Sequence, residues 1–185
     1  MPPRFDELLT ARLRLRRWRA ADRGPFAEMN ADPEVMRYFP SPLDRTASDA
    51  LVDRIETRFE EQGYGLWALE RLADRAFLGF AGLNPMPPGT PGAGALEVGW
   101  RLARAGWGHG YATEAAAAAL EVWFAALGGT RVWSITTVGN LRSQAVMGRL
   151  GLTEHARYRQ PGLPLDHELS AAVAYLRERE PEPTR

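Results

Sequence analysis

Gly106, Gly108 and Gly110 stand at alternate positions just ahead of a helical pattern. A turn stripped of side chains lets backbone N–H groups converge at the start of a helix. Unpaired donors and the positive end of the helix dipole there favour phosphate. A glycine-rich turn with no ligand has the same spacing, so the glycines alone leave both readings open. A dinucleotide site wants G-x-G-x-x-G and an acid at the end of the next strand. Here the glycines run G-x-G-x-G and the next strand ends Thr136-Thr137-Val138, which disfavours NAD. No G-x-S-x-G run occurs, so the nucleophile elbow of a serine hydrolase is absent.

The elements that must hold this turn are legible from periodicity. Leu96, Val98, Trp100 and Leu102 alternate with Glu97, Gly99 and Arg101, the pattern of a strand that enters the turn. After it, Leu120, Trp123, Phe124 and Leu127 form a stripe at helical spacing, predicted to face the core. Residues 131–137 form a β-branched and aromatic strand. Asn140 is predicted to cap a helix that Gly151 stops. Upstream, Leu13 and Leu15 alternate with Arg12, Arg14 and Arg16, a strand whose arginine face is expected in water. Residues 22–30 read as a helix. Thr46 and Asp49 have capping-box spacing ahead of Leu51, Val52, Ile55 and Phe59. Residues 66–71 and 77–84 read as a hairpin about Ala73-Asp74, and 153–158 and 167–175 as the last strands. The order predicts an α/β or α+β domain around a mixed sheet.

The 185 residues fit one domain, with a frayed tail expected over about 180–185. The 23 basic residues are all arginine and balance 23 acids. A neutral chain lacks the basic surplus of a nucleic-acid binder. Without lysine there is no phosphate-loop lysine, Schiff base or lysine general base. Without cysteine there is no disulfide, catalytic thiolate or cysteine-held zinc, and no metal site is predicted. Asp6 and Glu7 interrupt the first residues, unlike a signal peptide. No apolar run approaches the roughly 20 residues of a membrane span. The expectation is a cytoplasmic protein.

The run Glu97-Val98-Gly99-Trp100-Arg101-Leu102, followed by Trp107-Gly108-His109-Gly110-Tyr111-Ala112-Thr113-Glu114-Ala115, resembles the GNAT acetyltransferase superfamily. Within it, the chain resembles the branch containing ribosomal-protein N-terminal alanine acetyltransferases (RimJ/RimL-like). Thr10 through Arg16 resembles that branch's opening strand. Asn140-Leu141-Arg142-Ser143 with Val146 through Leu152 resembles its Asn-x-x-Ser helix, and Asp166-His167-Glu168-Leu169 its closing strand. The resemblance implies an acyl-CoA N-acyltransferase fold, a central twisted mixed sheet of about seven strands flanked by helices. It implies acetyl-CoA as co-substrate, an amine as acceptor, and a homodimer, a frequent assembly in the branch.

By the same resemblance, the pyrophosphate would sit on the amides of Gly108, His109, Gly110, Tyr111 and Ala112, behind Trp107. The pantetheine would pair like an added strand with the backbone of Trp100 and Leu102, and Asn140 would hold its arm. A strand N–H near Trp100 would face the thioester carbonyl. The sequence departs from the superfamily in placing Trp107 where Gln or Arg is usual, and His109 between the glycines. The second helix has no tyrosine, which leaves Ser143 as its hydroxyl. An attacking amine must lose a proton. Glu97 is the first candidate base, against a purely structural ion-paired role. Asp166, His167 and Glu168 follow, and both His155 and His167 also read as ordinary buried or strand histidines. The acceptor would lie between 33–42 and 157–166, with Tyr38, Phe39, Tyr158 and Trp67 as candidate lining. The competing readings are a non-catalytic acyl-CoA sensor and a nucleotide- or NAD-dependent enzyme.

Overall fold

The computed structural model describes residues 3–179; the expected frayed tail lies outside the described residues. Strands β1 (Glu7–Leu9) and β2 (Leu13–Arg16) precede helices α1 (Arg23–Ala31) and α2 (Arg45–Gln62). Then come β3 (Leu66–Arg71), β4 (Phe77–Pro85), β5 (Leu96–Leu102), α3 (Tyr111–Glu121), β6 (Arg131–Thr137), α4 (Leu141–Arg149), β7 (Thr153–Arg159) and β8 (Ala171–Glu178). They form one mixed sheet of eight strands in the order β1-β2-β3-β4-β5-β6-β8-β7. The strand beyond the expected seven is β1, three residues paired with β2, too short to show periodicity. Every pairing is antiparallel except β5 with β6. Helix α3 makes that parallel crossover, as a βαβ unit requires.

The core forms where the two helical layers meet the sheet. Phe26 of α1 packs edge-on against Trp18 at 4.7 Å between ring centroids, and Phe59 of α2 against Trp67 at 5.5 Å. Trp67 is fully buried, so it belongs to the core and not to an acceptor pocket. On the other layer α3 presents Ala115, Ala116 and Ala119, all fully buried. Small side chains let that helix lie close to the sheet. Its end winds as a π-helix over Val122–Ala126. The wider turn rotates the expected stripe: Leu120 and Val122 are buried, while Trp123, Phe124 and Leu127 are only half-buried.

Three other local expectations change. The arginine face of β2 is not wholly in water: Arg16 is buried, bonded to both carboxylate oxygens of Asp22 and to Glu70 at 2.8 Å. Helix α2 is capped by Asp44, which accepts from the Ala47 amide at 2.7 Å, not by Thr46; an aspartate two residues earlier is at least as good a cap. The final strand starts at Ala171. His167 and Glu168 sit in the preceding turn, where the Ser170 amide donates to the His167 carbonyl at 2.8 Å and the Leu169 amide to the His167 ring. Such local bonds compete with strand pairing.

Candidate active site

Strand β5 pairs with β4 along its whole length, from Leu96 opposite Pro85 to Leu102 opposite Gly79. With β6 it pairs at one position only, Glu97 opposite Trp133. Beyond that pair the two parallel strands diverge, and the β6-facing backbone edge of β5 past Glu97 has no strand beside it. An unpaired edge of this kind is a template for an extended ligand. The wedge opens into a cleft of about 1290 Å³.

The glycine turn forms one wall. Gly108 and Gly110 adopt φ of 77° and 78°, the left-handed region that suits glycine. Gly110 serves as N-cap of α3 without a side-chain bond. The amides from Gly108 to Thr113 make no hydrogen bond among the described residues. Gly106 differs: its φ is ordinary, and its need is for space, since a Cβ would lie 3.2 Å from Leu102 Cδ2. Trp107 donates from its indole to the Leu102 carbonyl at 2.8 Å, and the Arg142 guanidinium lies 5.0 Å above its ring. The tryptophan is thus a strut between the end of β5 and the turn.

A second strut comes from far away in sequence. Glu114, in the first turn of α3, accepts from Thr10 Oγ1 at 2.6 Å, from the Arg12 amide at 2.9 Å and from Arg12 Nε at 2.7 Å. Arg12 Nη1 donates to the His109 carbonyl at 2.9 Å. Burial raises the Glu114 carboxyl and these donors lower it, with a net downward shift. Nothing in the spacing of Thr10, Arg12 and Glu114 signals this. The acid early in a helix was the one available hint.

On the β6 side, Asn140 caps α4, accepting from the Ser143 amide at 3.2 Å and donating to Thr136 Oγ1 at 3.0 Å. Ser143 lines the cleft with a hydroxyl that makes no hydrogen bond among the described residues. Trp100, Leu102, Trp107, Gly108, His109, Gly110, Tyr111, Ala112, Asn140 and Ser143 therefore share one cleft. Arg12, Arg37, Arg101, Arg142 and Arg149 line it too, against Glu34 and Glu114. The surplus is cationic, in a protein neutral overall.

Glu97 stands apart. It projects from the opposite face of β5 to Val98, half-buried, and does not line the cleft. Desolvation pushes its carboxyl up to about 8, against the pull of the Ile135 amide. Ile135 itself does line the cleft, so Glu97 adjoins it through that amide. Tyr158 does not line the cleft; burial first and the Glu97 charge second push its phenol up to about 12. Tyr38 and Phe39 do line it. His155 stacks edge-on against Trp133 at 5.0 Å. Among the described residues no cluster of His, Asp and Glu could hold a metal, and no helix is long and apolar enough to cross a membrane.

Comparison with known proteins bears on this geometry. Residues 12–153 match the family model described as an acetyltransferase (GNAT) domain. The uncharacterized protein YkkB of Bacillus subtilis is 30% identical over 79% of this chain and 84% of its own. The FsC-acetyl coenzyme A-N(2)-transacetylase of Aspergillus fumigatus is 31% identical over 68% of this chain, which spans 56% of that protein. Among solved structures, an acetyltransferase from Agrobacterium tumefaciens superposes with a TM-score of 0.75 at 25% identity, covering 94% of both chains. RimL, a ribosomal L7/L12 alpha-N-protein acetyltransferase solved with coenzyme A, superposes at 0.73 with 16% identity, covering 92% of this chain and 96% of its own.

Proposed function

The chain belongs to the GNAT acetyltransferase family, and from that premise we propose that it moves acetyl from acetyl-CoA to a primary amine by direct attack, with no acyl-enzyme. The observation that carries the reading is the wedge. A free strand edge on β5 and a row of unbonded amides at the start of α3 meet in one cationic cleft. This donor set suits a long ligand with an amide-bearing arm and a pyrophosphate.

In this reading the amides of 108–112 receive the pyrophosphate, and Arg142 and Arg149 add charge at the rim. The backbone of Trp100 and Leu102 pairs with the pantetheine. The Leu102 carbonyl already accepts the Trp107 indole, so only its second lone pair is left for the arm. Asn140 likewise has one free amide hydrogen beyond its cap and its bond to Thr136. The Trp100 amide stabilises the thioester oxygen as charge builds on it. The acceptor nitrogen bonds to the carbonyl carbon and the carbon–sulfur bond breaks. Glu97 takes the amine's proton through a water, and its raised carboxyl suits an α-amine, whose own pKa is about 8. Ser143 offers its hydroxyl to the departing thiolate.

The test is a thermal-shift titration with acetyl-CoA beside NAD and ATP, followed by thiol release against an amine panel. Acetyl-CoA at a hundredfold over its Kd stabilises by about 2.7 kcal/mol, roughly 5–10 °C for a chain of this size. A selective shift with turnover on an amine supports the proposal. A shift without turnover on any amine favours an acyl-CoA sensor, and a larger shift with NAD would end the transferase reading.

A further inference from the structure

Arg101 extends from β5 on the same face as Glu97 and lines the cleft. Its Nη1 donates to Asn30 Oδ1 at 2.7 Å. Asn30 is fully buried, and its Nδ2 donates to Ser48 Oγ at 2.9 Å, which fixes its carbonyl toward the arginine. The guanidinium lies 4.1 Å over the Phe39 ring and 5.5 Å from that of Phe80. Its Nε is buried with no hydrogen-bond partner, and Nη2 has none among the described residues.

Among the described residues no carboxylate compensates this cation. The buried Arg16 has Asp22 and Glu70, and Arg17 has Asp6, Glu56 and Glu60. Neither acid of the cleft reaches it: Glu114 is held by Arg12, and Glu34 is exposed with no bond to Arg101; Asp32, outside the lining, is paired with Arg104 at 3.2 Å. A desolvated charge left with one neutral acceptor is costly; desolvation alone draws the Arg101 guanidinium down to about 10. The planar fork, stacked on an aromatic ring with an unbonded edge, is the geometry that receives a carboxylate.

We propose that the acceptor amine carries a carboxylate and that Arg101 receives it, with Phe39 as the apolar wall of that subsite. The inference rests on the acetyl-transfer reading and narrows its substrate class. Glu97 and Arg101 are four residues apart on one strand face, about 13 Å between Cα atoms. The carboxylate can belong to a free amino acid or to an acidic residue beside a peptide's N-terminus.

The experiment measures thiol release with matched acceptors in acid and amide form: alanine against alaninamide, and tetrapeptides starting with Asp or Glu against those starting with Asn or Gln. The expected result is at least a tenfold higher kcat/KM for the carboxylated member of one pair, carried by KM. The pair that shows it identifies the source of the carboxylate. In Arg101→Gln that preference collapses, while the thermal shift with acetyl-CoA is kept; Arg101→Lys retains only part of the preference. Succinate should compete with the acceptor and not with acetyl-CoA in the unaltered protein, which decides the matter even if the variants fail to fold. Equal use of both members of every pair overturns the inference and leaves acetyl transfer standing. So does an equal loss on both in Arg101→Gln, or loss of the acetyl-CoA shift. Absence of any acetyl-CoA shift in the unaltered protein removes both readings.

Discussion

Arg12 and Glu114 lie 102 residues apart and meet through Nε and Oε2 at 2.7 Å. That contact fastens the segment before β2 to the first turn of α3, and through the His109 carbonyl to the glycine turn itself. The loop that carries the unbonded amides is therefore braced on both sides, by Arg12 on one and by the Trp107–Leu102 bond on the other.

Glu114→Gln should lower stability by about 1–2 kcal/mol, since a charge-assisted bond is weakened on a partly solvated site. Thermal unfolding reads this as a fall of roughly 3–8 °C. The folded carboxyl is shifted down, so its contribution is present above the ordinary glutamate range. It fades as pH falls through the lowered folded value. The gap between the two proteins should close on acidification. A gap independent of pH would show that packing and not charge holds the contact.

Gly108→Ala and Gly110→Ala should each cost about 1–2 kcal/mol, because both sites hold positive φ; the added methyl meets nothing at Gly108 and only Arg12 Nη2, at an ordinary 3.6 Å, at Gly110. Each should also weaken acetyl-CoA binding at least fivefold by rotating the amides. Gly106→Ala meets the flexible end of Leu102 at normal φ and should bind within about twofold of the unaltered protein. Calorimetric titration separates the three. Equal effects at all three positions would mean that crowding and not backbone conformation matters.

Glu97→Gln should lower turnover at least tenfold with acetyl-CoA affinity kept. The unaltered enzyme should gain activity as pH rises toward about 8, where its carboxyl ionises, and the variant should lack that rise. Stability runs the other way. The folded pKa lies above the unfolded one, so the carboxyl's favourable contribution is complete at low pH and is lost as pH rises toward 8. Unfolding temperatures should therefore move in favour of the glutamine variant as pH rises from the ordinary glutamate range to about 8, and the difference should level off above that. Unchanged turnover would clear Glu97 of the role.

His109 is exposed at the tip of the turn, 5.4 Å from the Tyr111 ring. His109→Ala should weaken acetyl-CoA binding about threefold in calorimetric titration, because a ring N–H donor is lost beside the turn's amides. Equal affinity in the two proteins assigns the ring to solvent.

Much of the fold was legible because its signals are local. The alternation of Leu96 to Leu102, the glycines of the turn, the Asn140 cap and the Gly151 stop each depend on neighbours within a turn or a pleat. The misreadings share a cause. Arg16 looks solvent-facing until Glu70, 54 residues on, arrives beside it. Trp67 looks like pocket lining until α2 covers it with Phe59. The stripe of α3 is correct as a helix pattern, but the π turn at Val122–Ala126 rotates its end.

Glycine placement and periodicity are enough to specify the strand–turn–helix that carries the cleft, and with it the family resemblance. The parting of β5 and β6 after Glu97 comes from the fold, because register between strands separated by a helix is set by packing. The fold also keeps Glu97 out of the cleft lining and leaves Arg101 without a carboxylate partner among the described residues. Whether a charge is paired or stranded depends on which distant side chains the fold brings within about 4 Å, and no spacing along one strand encodes that.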